Sequence, residues 1–392
     1  MSRTRADSAR MTLGAFGTKL TGCALFVFTV TGATPGQALV LTLGVEPNRK
    51  AETMAELRLD PVAHRWVVTG RRRVLADFND AEAVCPFCPG NEHFTPRSIQ
   101  ELRDADGAWS ARVFHDRAPI FLVEGREGRQ AVGMFDRMNT VGAHEIVVET
   151  PRHGVTLAQL PPDQISKCIA LYRDRILDLK RDIRLRYVSV FKDQGLSALN
   201  EHGHSHSQVL ASLVMPQSLE IEFRWCKLHF LRRERCLFCD CIQQEIQEGT
   251  RVVDQNGDFI AFCPFASRSP YELWVLPIQH SSSFEKDLAE PTRVKSLASL
   301  LKTCLQRIER VSVILHLVIL TEPNLDAHKP TKDWWSTVPS DFHWHIELHP
   351  DVEGERRYLG SEGFYFNPIP AEEAALVLRA LEPESEAAPP AL

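Results

Sequence analysis

One series of motifs occurs twice along this chain of 392 residues, and this internal repeat constrains the fold more than any other feature. Each copy begins with a Cys-x-x-Cys pair and ends with a His-x-His pair: Cys85/Cys88 and His204/His206 in the first, Cys236/Cys239 and His343/His345 in the second. Motifs repeated in the same order predict two copies of one structural unit. We therefore expect two tandem half-domains, residues 54–220 and residues 221–381.

Between these motifs each copy has a glutamate followed eight residues later by a histidine, and then an apolar stripe at helical spacing. The pairs are Glu145 with His153 and Glu272 with His280. Steps of three and four residues place side chains on one helix face. The stripes are Ile165, Ile169, Tyr172, Ile176 and Leu179 in the first copy and Val294, Leu297, Leu301, Leu305 and Ile308 in the second. The predicted order of elements in each copy is therefore strand, strand, helix, strand, which indicates an α+β fold.

The composition is that of a globular protein with a small excess of acidic residues. Lys and Arg number 45, Asp and Glu number 51, the net charge is −6, and 44% of the residues are hydrophobic. A chain of this length can form two domains with hydrophobic cores. A protein that binds nucleic acid through its charge needs a basic face, so we expect no nucleic-acid partner.

Both ends of the chain are predicted to lie outside the half-domains. Residues 20–45 are apolar, follow several basic residues and are broken by Gly and Pro, which is typical of a signal sequence more than of a membrane helix. The alternative for residues 1–53 is a disordered or mis-assigned start. Ten cysteines, four of them in Cys-x-x-Cys pairs, favour metal binding in a reducing compartment, so we expect a cytoplasmic protein with no membrane partner. Residues 382–392 are acidic and Pro-rich and are predicted to be a disordered tail.

The cysteine and histidine motifs predict two zinc sites. A Cys-x-x-Cys pair supplies two thiolates, and tetrahedral zinc needs two more nitrogen or sulfur ligands. The first candidate set is Cys85, Cys88, His153 and one of His204 and His206; the second is Cys236, Cys239, His280 and one of His343 and His345, with Cys241 as a substitute ligand. Reduced cysteines packed as small apolar side chains are the competing interpretation.

The second histidine of each His-x-His pair is a candidate nucleophile. Polar and apolar residues alternate from Phe342 to Glu347, which predicts a strand on which both histidines share a face. If the first histidine binds metal, the second is a neutral imidazole able to attack phosphorus. Gln208 can donate an N–H to a phosphoryl oxygen, whereas Glu347 would repel it. We therefore predict that His206 is the nucleophile and Gln208 its partner; a third metal ligand or a core histidine remain the alternatives for His206.

The loop before the first His-x-His pair is a candidate phosphate-binding segment. Lys192 can supply positive charge, and Gly195, Ser197 and Gly203 allow backbone N–H groups to approach a phosphate closely. A solvated turn is the competing interpretation of this loop.

Together these motifs resemble the galactose-1-phosphate uridylyltransferase family, a branch of the histidine-triad (HIT) superfamily. The resemblance extends from about Glu56 to Leu381, and its segments are Leu57-Arg-Leu-Asp-Pro61, Arg65-Trp-Val-Val68, Cys85-Pro-Phe-Cys-Pro-Gly-Asn-Glu92, Asn139-Thr-Val-Gly-Ala-His-Glu145, His204-Ser-His-Ser-Gln208, Phe342-His-Trp-His-Ile-Glu347 and Asn367-Pro368. It implies two tandem HIT-like half-domains, each an antiparallel sheet with a packed helix, and it implies a homodimer.

The resemblance also implies a chemistry. In this family UDP-glucose uridylylates a histidine and releases glucose-1-phosphate, and galactose-1-phosphate then takes up the nucleotidyl group in a ping-pong reaction. It implies that His206 is uridylylated and that Gln208 steadies the intermediate. The implied zinc ligands are Cys85, Cys88, His153 and His204 in one site and Cys236, Cys239, His280 and His343 in the other. The same scaffold serves adenylyl transfer and phosphorolysis of ADP-glucose, which is the alternative function.

The chain departs from the family in the segments that hold substrate. The resemblance implies substrate binding around Arg73, Asn91 and Asp116, besides Lys192 and Gly195 in the loop. Residues 199–201, Leu-Asn-Glu, place a carboxylate where a diphosphate is expected, and the segment 116–119 reads Asp-Arg-Ala-Pro instead of Asn-Lys-aromatic-Pro. These departures keep a third interpretation open, a zinc-stabilised homologue without catalytic activity.

Overall fold

The computed structural model describes residues 55–70, 84–195, 203–327, 335–352, 357–359 and 364–382. The predictions for residues 1–53, for Arg73, for Ser197, for residues 199–201 and for the tail from residue 383 lie outside this part of the chain.

The described residues form sixteen strands and seven α-helices. The strands are β1 Glu56–Asp60, β2 Arg65–Thr69, β3 Gln100–Arg103, β4 Trp109–His115, β5 Gln130–Val132, β6 Phe135–Asn139, β7 Gly142–Val148, β8 Tyr187–Gln194, β9 His206–Ser212, β10 Val252–Gln255, β11 Phe259–Phe262, β12 Leu273–Pro277, β13 Leu315–Leu320, β14 His345–Pro350, β15 Arg357–Leu359 and β16 Phe364–Phe366. The helices are α1 Pro162–Leu179, α2 Gln217–Arg233, α3 Leu237–Glu248, α4 Phe284–Asp287, α5 Pro291–Glu309, α6 Val338–Asp341 and α7 Ala371–Ala380.

A ten-stranded sheet contains both copies of the repeat. Its strand order is β10-β11-β12-β14-β13-β8-β9-β7-β4-β3, and every pair in it is antiparallel. Outward from the central β8–β13 pair, four strands follow in corresponding order on each side, so the two copies are related by an approximate twofold axis. The predicted α+β class with antiparallel sheets is confirmed. Residue 220 lies within α2, and the division of the chain into half-domains there remains a prediction.

The two long helices α1 and α5 cover one face of this sheet and form the core. All ten residues of the predicted apolar stripes are buried, and they belong to one cluster together with the inward-facing strand residues Val190, Val209, Leu317 and Leu348. Both helices begin with a proline in their first turn, where its missing N–H has no intrahelical partner to lose. The helical spacing read from the sequence therefore identified the packed faces correctly.

The two repeated glutamates do not occupy equivalent positions. Ile146 pairs with Gln208 and Trp274 pairs with Glu347, so the strand registers make Glu145 equivalent to Leu273. The buried Glu145 faces the helices and accepts two 2.7 Å hydrogen bonds from Arg175 of α1. Glu272 faces the other side of the sheet, where Arg268 pairs with it. The two glutamates therefore occupy strand positions that differ by one residue, although each lies eight residues before a histidine.

Two smaller sheets complete the described fold, one with strand order β2-β1-β6-β5 and one formed by β15 and β16. Among the helices that the structure describes, none combines the length and the apolar character that crossing a membrane would require.

Candidate functional site

The first His-x-His pair lies at the start of β9, between β7 and β8 in the ten-stranded sheet. The Nδ1 atom of His206 is 2.8 Å from the carbonyl oxygen of His204. A carbonyl oxygen only accepts hydrogen bonds, so Nδ1 carries the proton and donates it. The lone pair is therefore on Nε2, which is the tautomer a nucleophilic imidazole needs.

Gln208 lies two residues beyond His206 on β9, on the same face of the strand. It is oriented by His144, which the sequence motifs did not predict as a site residue. The backbone N–H of Ile120 donates to His144 Nδ1 at 3.3 Å, which places the His144 proton on Nε2. That Nε2–H donates to Gln208 Oε1 at 2.9 Å. The carbonyl end of the Gln208 amide is thus taken, and its N–H groups are left for a different acceptor. His144 is buried on a neighbouring strand, so only the strand register reveals it.

Asp116, another predicted substrate residue, lies beside His144. Its Oδ2 is 3.3 Å from His144 Nδ1, and its Oδ1 accepts from the Ala118 N–H. Asn91 donates to the Cys85 carbonyl oxygen at 2.9 Å and so stabilises the Cys-x-x-Cys turn. Gly195 directly follows β8 and has a φ of +89°, and a Cβ there would lie 3.0 Å from Ile314 Cα.

Lys192 lies on a different surface from the one expected of a phosphate ligand. It is in β8, is buried, and faces the helix layer, on the side of the sheet opposite the His206 imidazole. Its ammonium group contacts Glu149, Ser205 and the His206 carbonyl oxygen. Strand parity explains the difference: Phe191 pairs with Gln208, so the next residue points to the other face.

The first candidate metal cluster consists of Cys85, Cys88, His153 and His204, whose ligand atoms lie within 4.8 Å of one another. His204 Nδ1 is 3.6 Å from Cys85 Sγ and 3.7 Å from Cys88 Sγ. His153 Nδ1 is 3.5 Å from Cys88 Sγ. Of the two histidines that the sequence left open, the structure places His204 with the thiols and His206 outside the cluster.

The second candidate cluster repeats this geometry with Cys236, Cys239, His280 and His343. His343 Nδ1 is 3.9 Å from Cys236 Sγ and 3.7 Å from Cys239 Sγ, and His280 Nδ1 is 3.4 Å from Cys239 Sγ. Cys241, the predicted substitute ligand, is exposed and does not belong to the cluster.

Both clusters suit a tetrahedral metal ion. With Zn–S near 2.3 Å and Zn–N near 2.0–2.1 Å, a tetrahedron has S···N edges of about 3.6 Å. His204, His343 and His280 each donate the other ring N–H, from Nε2, to a backbone carbonyl at 2.8–3.0 Å, the usual support of a metal-bound imidazole. Desolvation and the neighbouring Cys85 raise the pKa of Cys88 to about 11. A cation between the sulfurs would favour both thiolates.

The equivalent histidine of the second copy lies among carboxylates. His345 Nε2 is 3.8 Å from both Glu222 Oε1 and Glu347 Oε1, while Nδ1 donates to the His343 carbonyl oxygen at 3.1 Å. Burial lowers the pKa of His345, but the two glutamates outweigh it and raise the pKa overall. Two carboxylates would also repel a phosphate. This environment makes His345 unsuitable as a nucleophile for phosphorus.

Glu222 of α2 and Glu347 line a cavity of about 780 Å³ on the outward face of the sheet, together with Arg268, His316 and His349. Burial raises the pKa of Glu222 to about 7 from its ordinary value of 4.5. The Oε1 atom of this side chain is shielded from solvent and has no hydrogen-bond partner among the described residues.

Glu222 predicts a specific pH dependence of stability. Between pH 4.5 and about 7 the carboxyl is protonated in the folded chain and ionised in the unfolded chain. The folded chain then binds more protons, so the stability this group contributes is complete below pH 4.5 and is lost as the pH rises to about 7. We expect Glu222→Gln to gain stability relative to the unsubstituted chain over this range in urea unfolding. The control Glu373→Gln, which removes an exposed carboxylate, should show no such gain over the parent chain. If the free energy of unfolding changes with pH in the same way for the parent chain and both variants, the raised pKa of Glu222 is contradicted.

Sequence comparisons identify a family and several relatives of this chain. The family described as galactose-1-phosphate uridyl transferase, N-terminal domain, matches residues 69–216. ADP-glucose phosphorylase of Arabidopsis thaliana is 30% identical over 339 residues, which is 83% of this chain and 92% of that protein. Galactose-1-phosphate uridylyltransferase of Thermotoga maritima is 24% identical and covers 84% of this chain and 100% of its own length.

Solved structures of such proteins are similar in fold to this chain. The crystal structure of an ADP-glucose phosphorylase from Arabidopsis thaliana with bound ADP-glucose has a TM-score of 0.66 and 28% identity, and covers 84% of this chain and 99% of its own. A structure of a uridylyltransferase has a TM-score of 0.68 at 23% identity, which shows likeness of fold. In both cases the similarity includes both copies of the repeat.

Proposed function

The chain belongs to the galactose-1-phosphate uridylyltransferase family, and from that premise we propose that it is a UDP-glucose–hexose-1-phosphate uridylyltransferase acting through His206. The observation that carries the proposal is the hydrogen bond from His206 Nδ1 to the His204 carbonyl oxygen, 2.8 Å long. It holds the imidazole in the tautomer whose Nε2 can attack phosphorus.

The reaction has two displacements at the same phosphorus. His206 Nε2 attacks the α-phosphorus of the nucleotide sugar, the N–P bond forms, and the bond from that phosphorus to the bridging oxygen breaks. Hexose-1-phosphate leaves with the bridging oxygen, and the nucleotidyl group remains on His206 as a phosphoramidate. A phosphate oxygen of the second hexose-1-phosphate then attacks, the N–P bond breaks, and a new nucleotide sugar forms with the histidine restored.

Gln208 stabilises the phosphoryl oxygens in this scheme. Because its Oε1 accepts from His144 at 2.9 Å, its amide N–H groups are available to a phosphoryl oxygen on the same strand face as His206. A fixed donor of this kind needs no reorganisation as charge develops on the phosphoryl group. Asp116 lies beside His144, and we propose that Asp116, Arg73, Asn91 and Gly195 contribute to substrate binding.

We assign zinc to both clusters, with Cys85, Cys88, His153 and His204 holding one ion and Cys236, Cys239, His280 and His343 the other. A zinc ion with four protein ligands supplies a cross-link rather than a reactive position. His204 would thereby be anchored directly before the nucleophile. Reduced thiols of this kind suit a reducing compartment, and a cytoplasmic location is part of the proposal. The homodimer remains a prediction.

A second function is favoured by one specific comparison. The relative with 30% identity over 92% of its length is an ADP-glucose phosphorylase. With ADP-glucose as donor, His206 would carry an adenylyl group, and inorganic phosphate would be the acceptor. Both functions share the first displacement, so they differ in the nucleobase and in the acceptor.

The experiment that tests the proposal is the intact mass of the purified chain after separate incubation with UDP-glucose and with ADP-glucose. A uridylyl adduct supports the uridylyltransferase, and an adenylyl adduct supports the phosphorylase. Addition of galactose-1-phosphate or inorganic phosphate should then remove the adduct and identify the acceptor. Folded, zinc-replete protein without an adduct from either donor would contradict both functions and favour a non-catalytic homologue.

The role of Gln208 gives a prediction of its own. Gln208→Glu should lower the rate of adduct formation about 100- to 1000-fold, because a carboxylate replaces a donor aimed at the phosphoryl group. Rapid quenching with labelled donor measures this rate. The matched control is Glu347→Gln at the equivalent position of β14, which should form the adduct at the unsubstituted rate. Equal rates for Gln208→Glu and the parent chain would exclude the assigned role.

A further inference from the structure

A buried polar cluster lies behind the strand that carries His206, and no step of the proposed reaction uses it. Glu149, which follows β7, has no solvent exposure. It accepts hydrogen bonds from Tyr172 at 2.6 Å and from Ser205 and Ser207 at 2.5 Å each. We call Glu149, Lys192, Tyr172, Ser205 and Ser207 the rear cluster.

Lys192 connects the rear cluster to the backbone of the nucleophile. Its Nζ donates to Glu149 Oε2 at 2.8 Å, to Ser205 Oγ at 3.0 Å and to the carbonyl oxygen of His206 at 3.0 Å. The residues before and after His206 are therefore both attached to Glu149, and His206 itself is attached to Lys192. All three contacts are made from the face of the sheet opposite the His206 imidazole.

The second copy of the repeat has apolar residues at all the equivalent positions. Val190 pairs with Val209 and Leu317 pairs with Leu348. Since His206 corresponds to His345, this register makes Ile319 the counterpart of Lys192. The β7–β9 and β12–β14 registers and the order of the helix stripes give the remaining counterparts. The counterparts of Glu149, Lys192, Tyr172, Ser205 and Ser207 are Pro277, Ile319, Leu301, Trp344 and Ile346, all of them buried.

This contrast shows that the fold does not need charge at these positions. Removing a carboxylate and an ammonium group from water is costly, and well-packed apolar residues of similar volume often stabilise a fold equally well or better. The second copy, whose His345 lies among carboxylates, uses the apolar arrangement. Only the copy with the candidate nucleophile keeps the ion pair.

We propose that Glu149 and Lys192 are positioning residues for His206, which fix the β9 backbone on both sides of it so that Nε2 is held in line for attack on phosphorus. This inference rests on the proposed nucleotidyl transfer and adds residues to it that never touch substrate. Reactions of this kind are sensitive to the position of the attacking atom, and a displacement of about 1 Å costs about 100-fold in rate. Directional hydrogen bonds to backbone and hydroxyl groups define that position more narrowly than apolar contacts do.

The test compares the full-length protein with the double variant Glu149→Gln/Lys192→Met. Both charges are removed together, so no isolated buried charge remains to prevent folding. We expect the rate of adduct formation on His206 to fall about 100-fold, while the KM for the nucleotide sugar changes less than about threefold and the unfolding midpoint stays close to that of the parent chain. Tyr172→Phe, which removes one of the hydroxyl donors to Glu149, should show a smaller loss of the same kind.

The matched control is Ile319→Val at the position equivalent to Lys192. It loosens the core of the same sheet, and we expect an unchanged rate of adduct formation. A purely structural role of the ion pair predicts instead that the rate follows the unfolding midpoint in both variants. That result, or a double variant as fast as the parent chain, would overturn the proposal.

A second measurement separates this proposal from the proposed function. Long-range proton–nitrogen NMR of histidine-labelled protein identifies the tautomer of His206, with His206→Ala used for the assignment. We expect the Nδ1–H tautomer alone in the parent chain and a mixture of tautomers in the double variant, whether or not a donor reacts. The same single tautomer in both would overturn the positioning role, and a parent chain that forms no adduct would overturn the proposed function alone.

Discussion

Replacing His206 with alanine is expected to abolish the covalent nucleotidyl adduct and to lower turnover by about 10⁴- to 10⁶-fold, as removal of a catalytic nucleophile does in other enzymes. In the proposed reaction both displacements involve His206 Nε2, which carries the lone pair because Nδ1–H donates to the His204 carbonyl oxygen. Exchange of label between glucose-1-phosphate and UDP-glucose, or between inorganic phosphate and ADP-glucose, measures the loss. Intact mass measures the adduct directly.

His345→Ala is the matched control for that experiment. It removes the equivalent histidine of the other copy, which begins β14 as His206 begins β9 and also donates from Nδ1 to a backbone carbonyl oxygen. We expect full adduct formation in this variant. Exchange retained by His206→Ala, or exchange lost equally in both variants, would show that the nucleophile is a different group.

The second large effect concerns the first metal cluster. The double variant Cys85→Ser/Cys88→Ser is expected to lose one equivalent of bound zinc and to become less stable by at least about 4 kcal/mol, the stabilisation given by a ligand present at 1,000 times its dissociation constant. Elemental analysis after gel filtration measures the metal, and denaturant unfolding measures the stability. The cluster connects the turn before β3 with residues beside β7 and β9, so its loss also releases the segment that precedes His206.

Cys241→Ser tests the specificity of that effect. The exposed Cys241 lies outside both clusters, so this variant should retain two equivalents of zinc and the stability of the parent chain. Two equivalents retained by Cys85→Ser/Cys88→Ser would contradict the first site. Two equivalents lost together would show that the clusters are not independent.

Much of the fold follows from periodicity in the sequence. The stripes from Ile165 to Leu179 and from Val294 to Ile308 predict helices, and the structure places those faces against one sheet. Local spacing was sufficient here because a helix buries a face whose residues lie three and four apart. The repeat likewise predicted matching halves, and the strand order on either side of the β8–β13 pair agrees with it.

Local spacing failed where the position of a residue depends on strand register. Glu145 and Glu272 each lie eight residues before a histidine but face opposite sides of the sheet. The reason is that Glu145 corresponds in strand position to Leu273, one residue after Glu272. Lys192 was expected beside phosphates for the same reason, since its parity on β8 becomes known only from its pairing with β9. A shift of one residue exchanges the two faces of a strand.

The sequence by itself determined the residue types and their order: two thiol pairs, two His-x-His pairs, and Gln208 in one copy where the other copy has Glu347. Only the tertiary structure decided which histidine of each pair meets the thiols, that His144 orients Gln208, and that Glu149 and Lys192 form a buried ion pair behind β9 that has no counterpart behind β14. These features join residues from different strands and loops, up to 119 positions apart in the case of Cys85 and His204. The sequence records which groups are present, but the distance and direction between such groups are set by how strands pair and on which face each side chain emerges.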